Sequence, residues 1–259
     1  MQPTAIDRAF ARANLYRFLS LAFAYPTADV HRELLEGLKP ARVAAETLSP
    51  ELGASMEHAA AAIESRDRKR LAAEYRKTFT LSASPDCPLY ECAYSAKHVY
   101  QEAQSLADLS GFYTAFGLEI AGERPDGLAA ELEFVALLAL KEGVAREQGL
   151  KAEAGVCREG ARLFLREHLA RWAGNIGRRV ELLAAGSAYE HLGRLLAAFA
   201  SQDVATLKLG PIDFYQETPN PPPPPDDGSC PAEEGLGVSA LELQEGDVLA
   251  ESGSVKGGA

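Results

Sequence analysis

The sequence lacks the short motifs that reveal common enzyme classes. It contains no Gly-x-x-x-x-Gly-Lys-Ser/Thr phosphate loop, no Gly-x-Gly-x-x-Gly dinucleotide fingerprint, no Gly-x-Ser-x-Gly elbow and no His-Glu-x-x-His zinc motif. Its five histidines are dispersed along the chain. We therefore expect a protein that is not an enzyme. The alternative is a site that no motif reveals, in which Glu131 meets His168 or Cys92 in three dimensions.

Cysteine is also sparse. The four cysteines, Cys87, Cys92, Cys157 and Cys230, are widely separated, and no Cys-x-x-Cys pair occurs. Since the amino terminus does not resemble an export signal, free thiols are expected rather than disulfides. Cys87 and Cys92 make a poor zinc site, because no nearby residue completes a set of four ligands. We expect no metal and no other cofactor.

Long apolar runs are missing as well. The longest, from Phe134 to Leu140, is far too short to cross a bilayer. Asp7 and Arg8 interrupt the segment in which an export signal would need its apolar core. The formal net charge of -11 argues against a nucleic-acid partner. We expect a cytoplasmic protein without stable membrane insertion and without bound nucleic acid.

Helical periodicity is the main pattern that is present. Apolar positions recur at three- and four-residue spacing, and no strand pattern precedes the carboxyl-terminal tail. We predict an all-α fold, a single globular bundle of about nine to ten helices with a long functional loop between Leu81 and Lys97. The first helix is predicted over about Thr4 to Ala24, and the second over about Ala28 to Leu38.

The composition changes near residue 206. Ten acidic residues and only two lysines follow, together with the proline run Pro221 to Pro225. The proline run predicts an extended polyproline segment, and the remainder predicts disorder. We therefore divide the chain into a helical domain, residues 1–205, and an acidic, Pro/Gly-rich, largely disordered tail, residues 206–259. Two apolar patches of the tail, Ile212 to Tyr215 and Val238 to Leu243, could still dock.

A helix is predicted to begin near Pro125. Proline at the first helical position loses no hydrogen bond, and Asp126 favours the positive end of the helix dipole. Glu131 falls on the same face as Phe134 and Leu138, in a helix that is apolar on most sides. A carboxylate on this apolar face needs a partner for its charge, or a position near an opening to solvent. Glu131 either locks the fold through a salt bridge or cap, or contacts a ligand.

Three aromatic residues, Phe112, Tyr113 and Phe116, lie at the end of another predicted helix, which Gly117 can terminate. Aromatic side chains at this spacing are typical of a core. They also line peptide-binding grooves, because tyrosine and phenylalanine supply large contact areas with few rotatable bonds. Position alone does not choose between the two interpretations.

Taken together, these segments resemble the TorD/DmsD/NarJ family of redox-enzyme maturation chaperones, which are all-helical. The resemblance covers about residues 1 to 205. One departure is Gly127, which stands where the family usually has histidine. The opening Cys87-Pro88-Leu89-Tyr90-Glu91 looks closest to chaperones that serve periplasmic dehydrogenases of the dimethyl sulfoxide reductase superfamily. The similar segments are Tyr90-Glu91, Phe112-Tyr113-Thr114-Ala115-Phe116-Gly117, Pro125-Asp126-Gly127-Leu128-Ala129-Ala130-Glu131-Leu132-Glu133-Phe134 and His168-Leu169-Ala170-Arg171-Trp172.

The resemblance implies a cytoplasmic chaperone that binds the precursor of a molybdoenzyme catalytic subunit, through its twin-arginine signal peptide, its apoprotein or both. Such a chaperone assists molybdopterin insertion and delays export until the enzyme is complete. Arginines of the signal peptide would lie near the acids, and its apolar part would lie against the aromatics. The predicted client-binding residues are Tyr90, Glu91, Tyr94, Phe112, Tyr113, Phe116, Pro125, Asp126, Leu128 and Glu131.

Two rival functions are a small helical enzyme of unknown reaction and a permanent accessory subunit of a redox complex. The oligomeric state is expected to be a monomer or a domain-swapped dimer, since a long hinge loop allows helices to be exchanged between protomers.

Overall fold

A computed structural model of the protein describes residues 2–79, 86–95, 99–118 and 124–220. Over these residues the chain forms helices and no strand, apart from one isolated β-bridge. The all-α prediction is confirmed. The ten helices of the described residues are α1 (Ala5–Phe23), α2 (Ala28–Leu48), α3 (Pro50–Glu64), α4 (Arg68–Phe79), α5 (Cys92–Ser95), α6 (Val99–Ala115), α7 (Leu128–Glu147), α8 (Lys151–Glu167), α9 (Leu169–Leu183) and α10 (Ala188–Leu207).

Helix α1 is the central element of the packing. It packs along α7 on one side and along α2 on another, and Leu15, Phe18 and Leu19 are fully buried between its neighbours. Helix α7 also packs against α8, while α9 packs against α10 and α10 against α3. The buried apolar side chains of these helices form one continuous cluster. Burial of this shared core is therefore the main stabilising contribution to the helical bundle.

The predicted first helix is confirmed within one residue at each end. Helix α1 begins at a capping box, in which Thr4 Oγ1 accepts a hydrogen bond from Asp7 N at 3.1 Å and Asp7 Oδ2 accepts one from Thr4 N at 2.8 Å. Two of the four orphan donors at the start of the helix are thereby satisfied by residues that are close in sequence. A local pattern is sufficient to predict such a start.

The predicted end of the second helix is wrong. Helix α2 does not stop near Leu38 but continues through Pro40 to Leu48. A proline inside a helix costs about 3 kcal/mol, because it removes a hydrogen bond and crowds the preceding turn. Beyond the proline, however, Ala41 and Ala45 are fully buried. Packing against α1 and α3 thus overrides the local signal to stop.

A buried ion pair that no sequence pattern indicated links the first and last helices. Arg12 of α1 donates from Nε to Asp203 Oδ1 at 2.6 Å and from Nη2 to Asp203 Oδ2 at 2.9 Å. Tyr16 also donates its hydroxyl proton to Asp203, at 2.7 Å. Burial lowers the pKa of Arg12, but the charge of Asp203 outweighs burial and raises it, so Arg12 remains charged. Two-point pairing of this kind specifies how α1 and α10 dock.

After α10 the described chain continues without helix to residue 220 and contacts the helical body. Ile212 and Tyr215 pack against the core. The first apolar patch of the tail is therefore docked on the helical body rather than disordered. One compact unit spans Met1–Pro221. The predicted boundary near residue 205 stays a prediction, and the proline run, Val238 to Leu243 and Cys230 lie outside the described residues.

Helices α9 and α10 cross at two glycines with almost no space between their backbones. A Cβ atom added at Gly193 would lie 2.6 Å from the carbonyl oxygen of Gly177, and one added at Gly177 would lie 2.7 Å from the carbonyl oxygen of Gly193. Both contacts are with backbone atoms, which cannot move aside as a flexible side chain can. The crossing therefore depends on the absence of side chains at these two positions.

We predict that Gly193→Ala destabilises the protein by about 1 to 3 kcal/mol, because overpacking forces the helices apart. Thermal unfolding followed by circular dichroism measures the change as a lower midpoint. The matched control is Gly155→Ala on the exposed face of α8, where an added Cβ meets nothing within 4 Å. That substitution should stabilise the helix by up to about 1 kcal/mol. Equal midpoints for the two variants would contradict the close crossing.

Candidate functional site

The Tyr90-Glu91 segment is joined to the start of α7 by main-chain hydrogen bonds. Tyr90 and Gly127 form an antiparallel β-bridge. Glu91 N donates to the carbonyl oxygen of Asp126 at 2.9 Å, and Leu128 N donates to that of Leu89 at 3.0 Å. As predicted, the segment around Tyr90 is not helical, although a single helical turn, α5, follows it directly. The two motif segments therefore form one structural unit.

The predicted start of α7 at Pro125 is wrong. The helix begins at Leu128 with Gly127 as its N-cap, and Pro125 and Asp126 lie in a turn before it. The bonds to Leu89 and Glu91 hold these residues in the turn, and Tyr113 adds a bond from its hydroxyl to the carbonyl oxygen of Pro125 at 2.7 Å. These partners are distant in sequence, so the local proline-acid pattern could not reveal them.

Glycine is not required by the backbone at position 127. Gly127 has φ -73° and ψ 135°, a conformation that any L-residue adopts. An added Cβ would meet only the carbonyl oxygen of Arg124, at 3.4 Å. The departure from the family pattern at this position therefore leaves the local backbone in an ordinary conformation.

Asp126 is completely buried and fully bonded. It accepts hydrogen bonds from Arg124 Nε at 2.9 Å and Nη2 at 3.0 Å, and from Cys92 N at 3.2 Å. Its charge thus lies at the amino end of α5 rather than of α7. Arg124 also donates to Glu102 at 2.7 Å, and its guanidinium lies 5.0 Å from the ring centre of Tyr90, which is 41% exposed. Arg124 is the solvent-facing partner of this buried acid.

Two more acids, Glu91 and Glu131, lie together in the interior at 1% and 0% exposure. His168 Nδ1 lies 3.2 Å from Glu91 Oε2, and the Tyr215 hydroxyl donates to Glu91 Oε1 at 2.9 Å. Trp172 Nε1 donates to Glu131 Oε2 at 3.1 Å. We call these five residues the Glu91 cluster. It joins the loop before α5 to α7, to the α8–α9 junction, to α9 and to the segment after α10.

Glu131 of the Glu91 cluster lies in surroundings that disfavour its charged form. Burial, and next the charge of Glu91, raise the pKa of Glu131 well above its ordinary value, despite the bond from Trp172. Among the described residues no donor reaches Glu131 Oε1. These surroundings therefore favour the protonated form of Glu131 over its carboxylate.

This arrangement is unsuited to nucleophilic chemistry. Cys92 is buried, and desolvation followed by the charge of Asp126 raises the pKa of its thiol, which suppresses the reactive thiolate. Burial raises the pKa of Cys87 to about 12. Glu91 and His168 are enclosed side chains with 1% and 4% of their surface exposed. Within the described residues, no three His, Cys, Asp or Glu side chains are grouped so that they could hold a metal ion.

The predicted aromatic residues belong largely to the core. Tyr113 is buried, with its ring centre 4.8 Å from that of Phe134, and Tyr94 is buried with its ring 5.7 Å from that of Trp172. Phe112 and Phe116 are half-buried at the edge of the same layer. The ten predicted residues therefore lie together, but only Tyr90, Phe112, Phe116 and Pro125 have appreciable exposed surface.

An open groove lies beside this aromatic layer, between α1, α2 and α7. It has a volume of about 650 Å³, and Tyr113 and Phe134 contribute to its lining. Other apolar lining residues are Leu21, Val30, Leu118, Ala130 and Leu137.

The rim of this groove is acidic. Arg17 bridges Glu133 of α7 at 2.6 Å and Glu33 of α2 at 2.9 Å, and all three side chains are more than 40% exposed. Two carboxylates thus share one guanidinium, which leaves a net negative rim above an apolar floor. No sequence pattern indicated that Arg17, Glu33 and Glu133 share a site, because only the tertiary fold brings α1, α2 and α7 together.

The chain is similar to known proteins over most of its length. Residues 45–177 match the family model described as nitrate reductase delta subunit. The chain is similar to the chlorate reductase assembly chaperone protein of Ideonella dechloratans, with 32% identity over 69% of this chain and 81% of that protein. It is similar to the selenate reductase assembly chaperone protein of Thauera selenatis, with 32% identity over 74% and 86%. The perchlorate reductase assembly chaperone protein of Dechloromonas aromatica shares 28% identity over 64% and 76%.

We predict that Glu131→Gln makes the stability less sensitive to pH. The pKa of Glu131 is raised in the folded protein above 4.5, its ordinary value. Stability is therefore lost as pH rises from that value through the folded pKa, because only the unfolded chain ionises freely. Glutamine cannot ionise and can still accept the bond from Trp172.

The measurement is the melting midpoint between about pH 5 and about pH 8, over which the wild-type protein should lose more stability than the variant. Glu133→Gln, an exposed change on the same helix, is the control and should follow the wild-type curve. Parallel curves for wild type and Glu131→Gln would show that Glu131 is ionised in the folded protein.

Proposed function

The chain belongs to the nitrate reductase delta subunit family, and we propose that its client is the precursor of a molybdoenzyme catalytic subunit. Its role is that of a chaperone in molybdoenzyme maturation, not that of a catalyst. In this proposal the precursor is bound in the cytoplasm, the molybdopterin cofactor is inserted while the complex lasts, and export follows release. Among the described residues no helix is long and apolar enough to cross a membrane.

The twin-arginine signal peptide of the precursor binds, in this proposal, in the groove between α1, α2 and α7. Its apolar segment lies along Leu21, Phe134 and Leu137, which form part of the floor. Its arginines lie at the rim, where Glu33 and Glu133 already hold the guanidinium of Arg17. This mode is that of an apolar helix in a groove with charge complementarity at one end.

The three buried acids of the predicted site have a positioning role in this proposal. Asp126 already holds Arg124, Glu91 already bonds to His168 and Tyr215, and Glu131 bonds to Trp172. A client arginine that reached them would have to displace an existing partner and bury a further charge, which is costly. Tyr113 and Phe134 connect this interior to the floor of the groove.

The observation that best supports the proposal is the contrast between these two neighbouring regions. The interior polar groups are enclosed and largely bonded to each other, whereas the groove beside them is open, apolar and acid-rimmed. A chaperone must bind an apolar segment and later release it, so moderate affinity from a preformed, partly open groove is sufficient.

We predict that Glu133→Lys weakens binding of a synthetic twin-arginine peptide by about tenfold, the effect of losing one charge-assisted contact of about 1.4 kcal/mol. The peptide carries two consecutive arginines followed by an apolar segment, and isothermal titration calorimetry measures the dissociation constant. The control is Glu147→Lys, an exposed change of equal charge at the other end of α7.

A peptide with two glutamines in place of the arginines should bind both variants with equal affinity. Equal affinities of the two variants for the arginine peptide would exclude the acidic rim as its binding site.

A further inference from the structure

The chain segment after α10 is held on the helical body much as a bound peptide would be held. We call residues 212–220 the strap. Four of its main-chain groups are hydrogen-bonded to the body. Arg171 Nε donates to the carbonyl oxygen of Asp213 at 2.8 Å, and Asn175 Nδ2 donates to that of Tyr215 at 2.9 Å. Tyr215 N donates to the carbonyl oxygen of Arg171 at 3.0 Å, and Asn220 N to that of Ala93 at 2.7 Å.

Two side chains of the strap occupy specific positions. The Tyr215 hydroxyl donates to Glu91, and the guanidinium of Arg171 lies 4.1 Å from the centre of the Tyr215 ring. Arg171 also contacts the carboxylate of Asp213 at 2.9 Å. One arginine therefore recognises both the acid and the aromatic ring two residues further on. Burial, and next the charge of Glu91, raise the pKa of Tyr215, so its hydroxyl remains a donor.

The strap is bound by contacts that are weak enough to exchange. The Asp213 side chain is 92% exposed, so its ion pair with Arg171 contributes little. Phe214 is 59% exposed, and only Ile212 and Tyr215 pack against the core. The strap contains no helix of its own, so its release would leave the helices of the body intact.

We propose that the cleft between Ala93, Arg171 and Asn175 is a second peptide-binding site, for an extended acidic-aromatic segment of the client, and that the strap is its internal competitor. The chemistry of the cleft defines the ligand: Glu91 accepts a hydroxyl, Arg171 holds a carboxylate and covers a ring, and three body residues bond to an extended main chain. A twin-arginine segment does not fit here, because Arg171, Arg178 and Arg179 are on α9. This site rests on the proposed function only in that its external ligand belongs to the precursor.

The strap lowers the apparent affinity of the cleft for an external segment, because the segment can bind only while the strap is released. If the strap occupies the cleft in nine molecules out of ten, the apparent dissociation constant for an external segment rises about tenfold. Weakening the strap without removing it should therefore strengthen binding from outside by the same factor.

The experiment uses the full chain and a fluorescein-labelled synthetic peptide of residues 210–220, with binding followed by fluorescence anisotropy. The variant Asp213→Ala/Tyr215→Ala should bind this peptide at least tenfold more tightly than the wild-type chain does. Glu217→Ala is the control, since it removes an exposed acid of the strap for which no body contact is seen in the described residues. It should bind the peptide as weakly as the wild type.

A second peptide, with phenylalanine in the place of Tyr215, tests the contact with Glu91 and should bind the double variant several-fold more weakly. Tyr215→Phe in the full chain removes only the hydroxyl that bonds to Glu91, so it should release the strap less completely than the double variant does. It should shift the fluorescence of Trp172, which is the only tryptophan of the chain and lies in the Glu91 cluster. Circular dichroism should show unchanged helix content in all variants.

Equal peptide affinity in the double variant and the wild type, or no binding to either, would overturn the proposal. So would loss of helix content in Tyr215→Phe, because the strap would then be part of the fold rather than a ligand. No client is needed for these measurements. Failure of the twin-arginine peptide to bind would count against the proposed function alone, and failure of the 210–220 peptide against the strap alone.

Discussion

The burial of two carboxylates, Glu91 and Glu131, in one apolar interior is the constraint on which this region of the protein depends. An unpaired charge in such a place is costly, and two adjacent charges are more costly still. The fold meets the constraint with donors from three separate elements, Trp172, His168 and Tyr215, and by favouring a proton on Glu131. Because the donors come from separate elements, the position of each element is coupled to the protonation and bonding of the pair.

Much of the fold could be predicted from the sequence, because its signals are local. The capping box at Thr4 and Asp7 and the helical periodicity that follows it are complete within a few turns. The errors arise where a distant contact overrides such a signal. Pro40 lies inside a helix because residues beyond it are buried, and Pro125 lies outside one because its neighbours bond to a loop about 35 residues earlier.

The candidate site was predictable only in part. The motif residues were expected to lie together, and they do, but a one-dimensional pattern could not distinguish a carboxylate that locks the fold from one that faces a ligand. Glu131 illustrates the difficulty, since its partner Trp172 is 41 residues away. The contact between Tyr215 and Glu91 spans 124 residues, and that between Arg12 and Asp203 spans 191. No periodicity connects residues so far apart, so these contacts could be found only in the folded structure.

The permanent packing contacts and the exchangeable contacts lie in different parts of the structure. The aromatic layer around Tyr113 and Phe134 is tightly packed, with ring centres 4.8 Å apart, and it gives the groove a rigid floor. The strap, by contrast, contains no helix and is fixed by a few hydrogen bonds and by the packing of Ile212 and Tyr215, which a peptide of the same chemistry can replace. A protein that binds an unfinished enzyme and then releases it needs both properties, because a rigid surface limits the entropic cost of binding and a replaceable contact limits the lifetime of the complex.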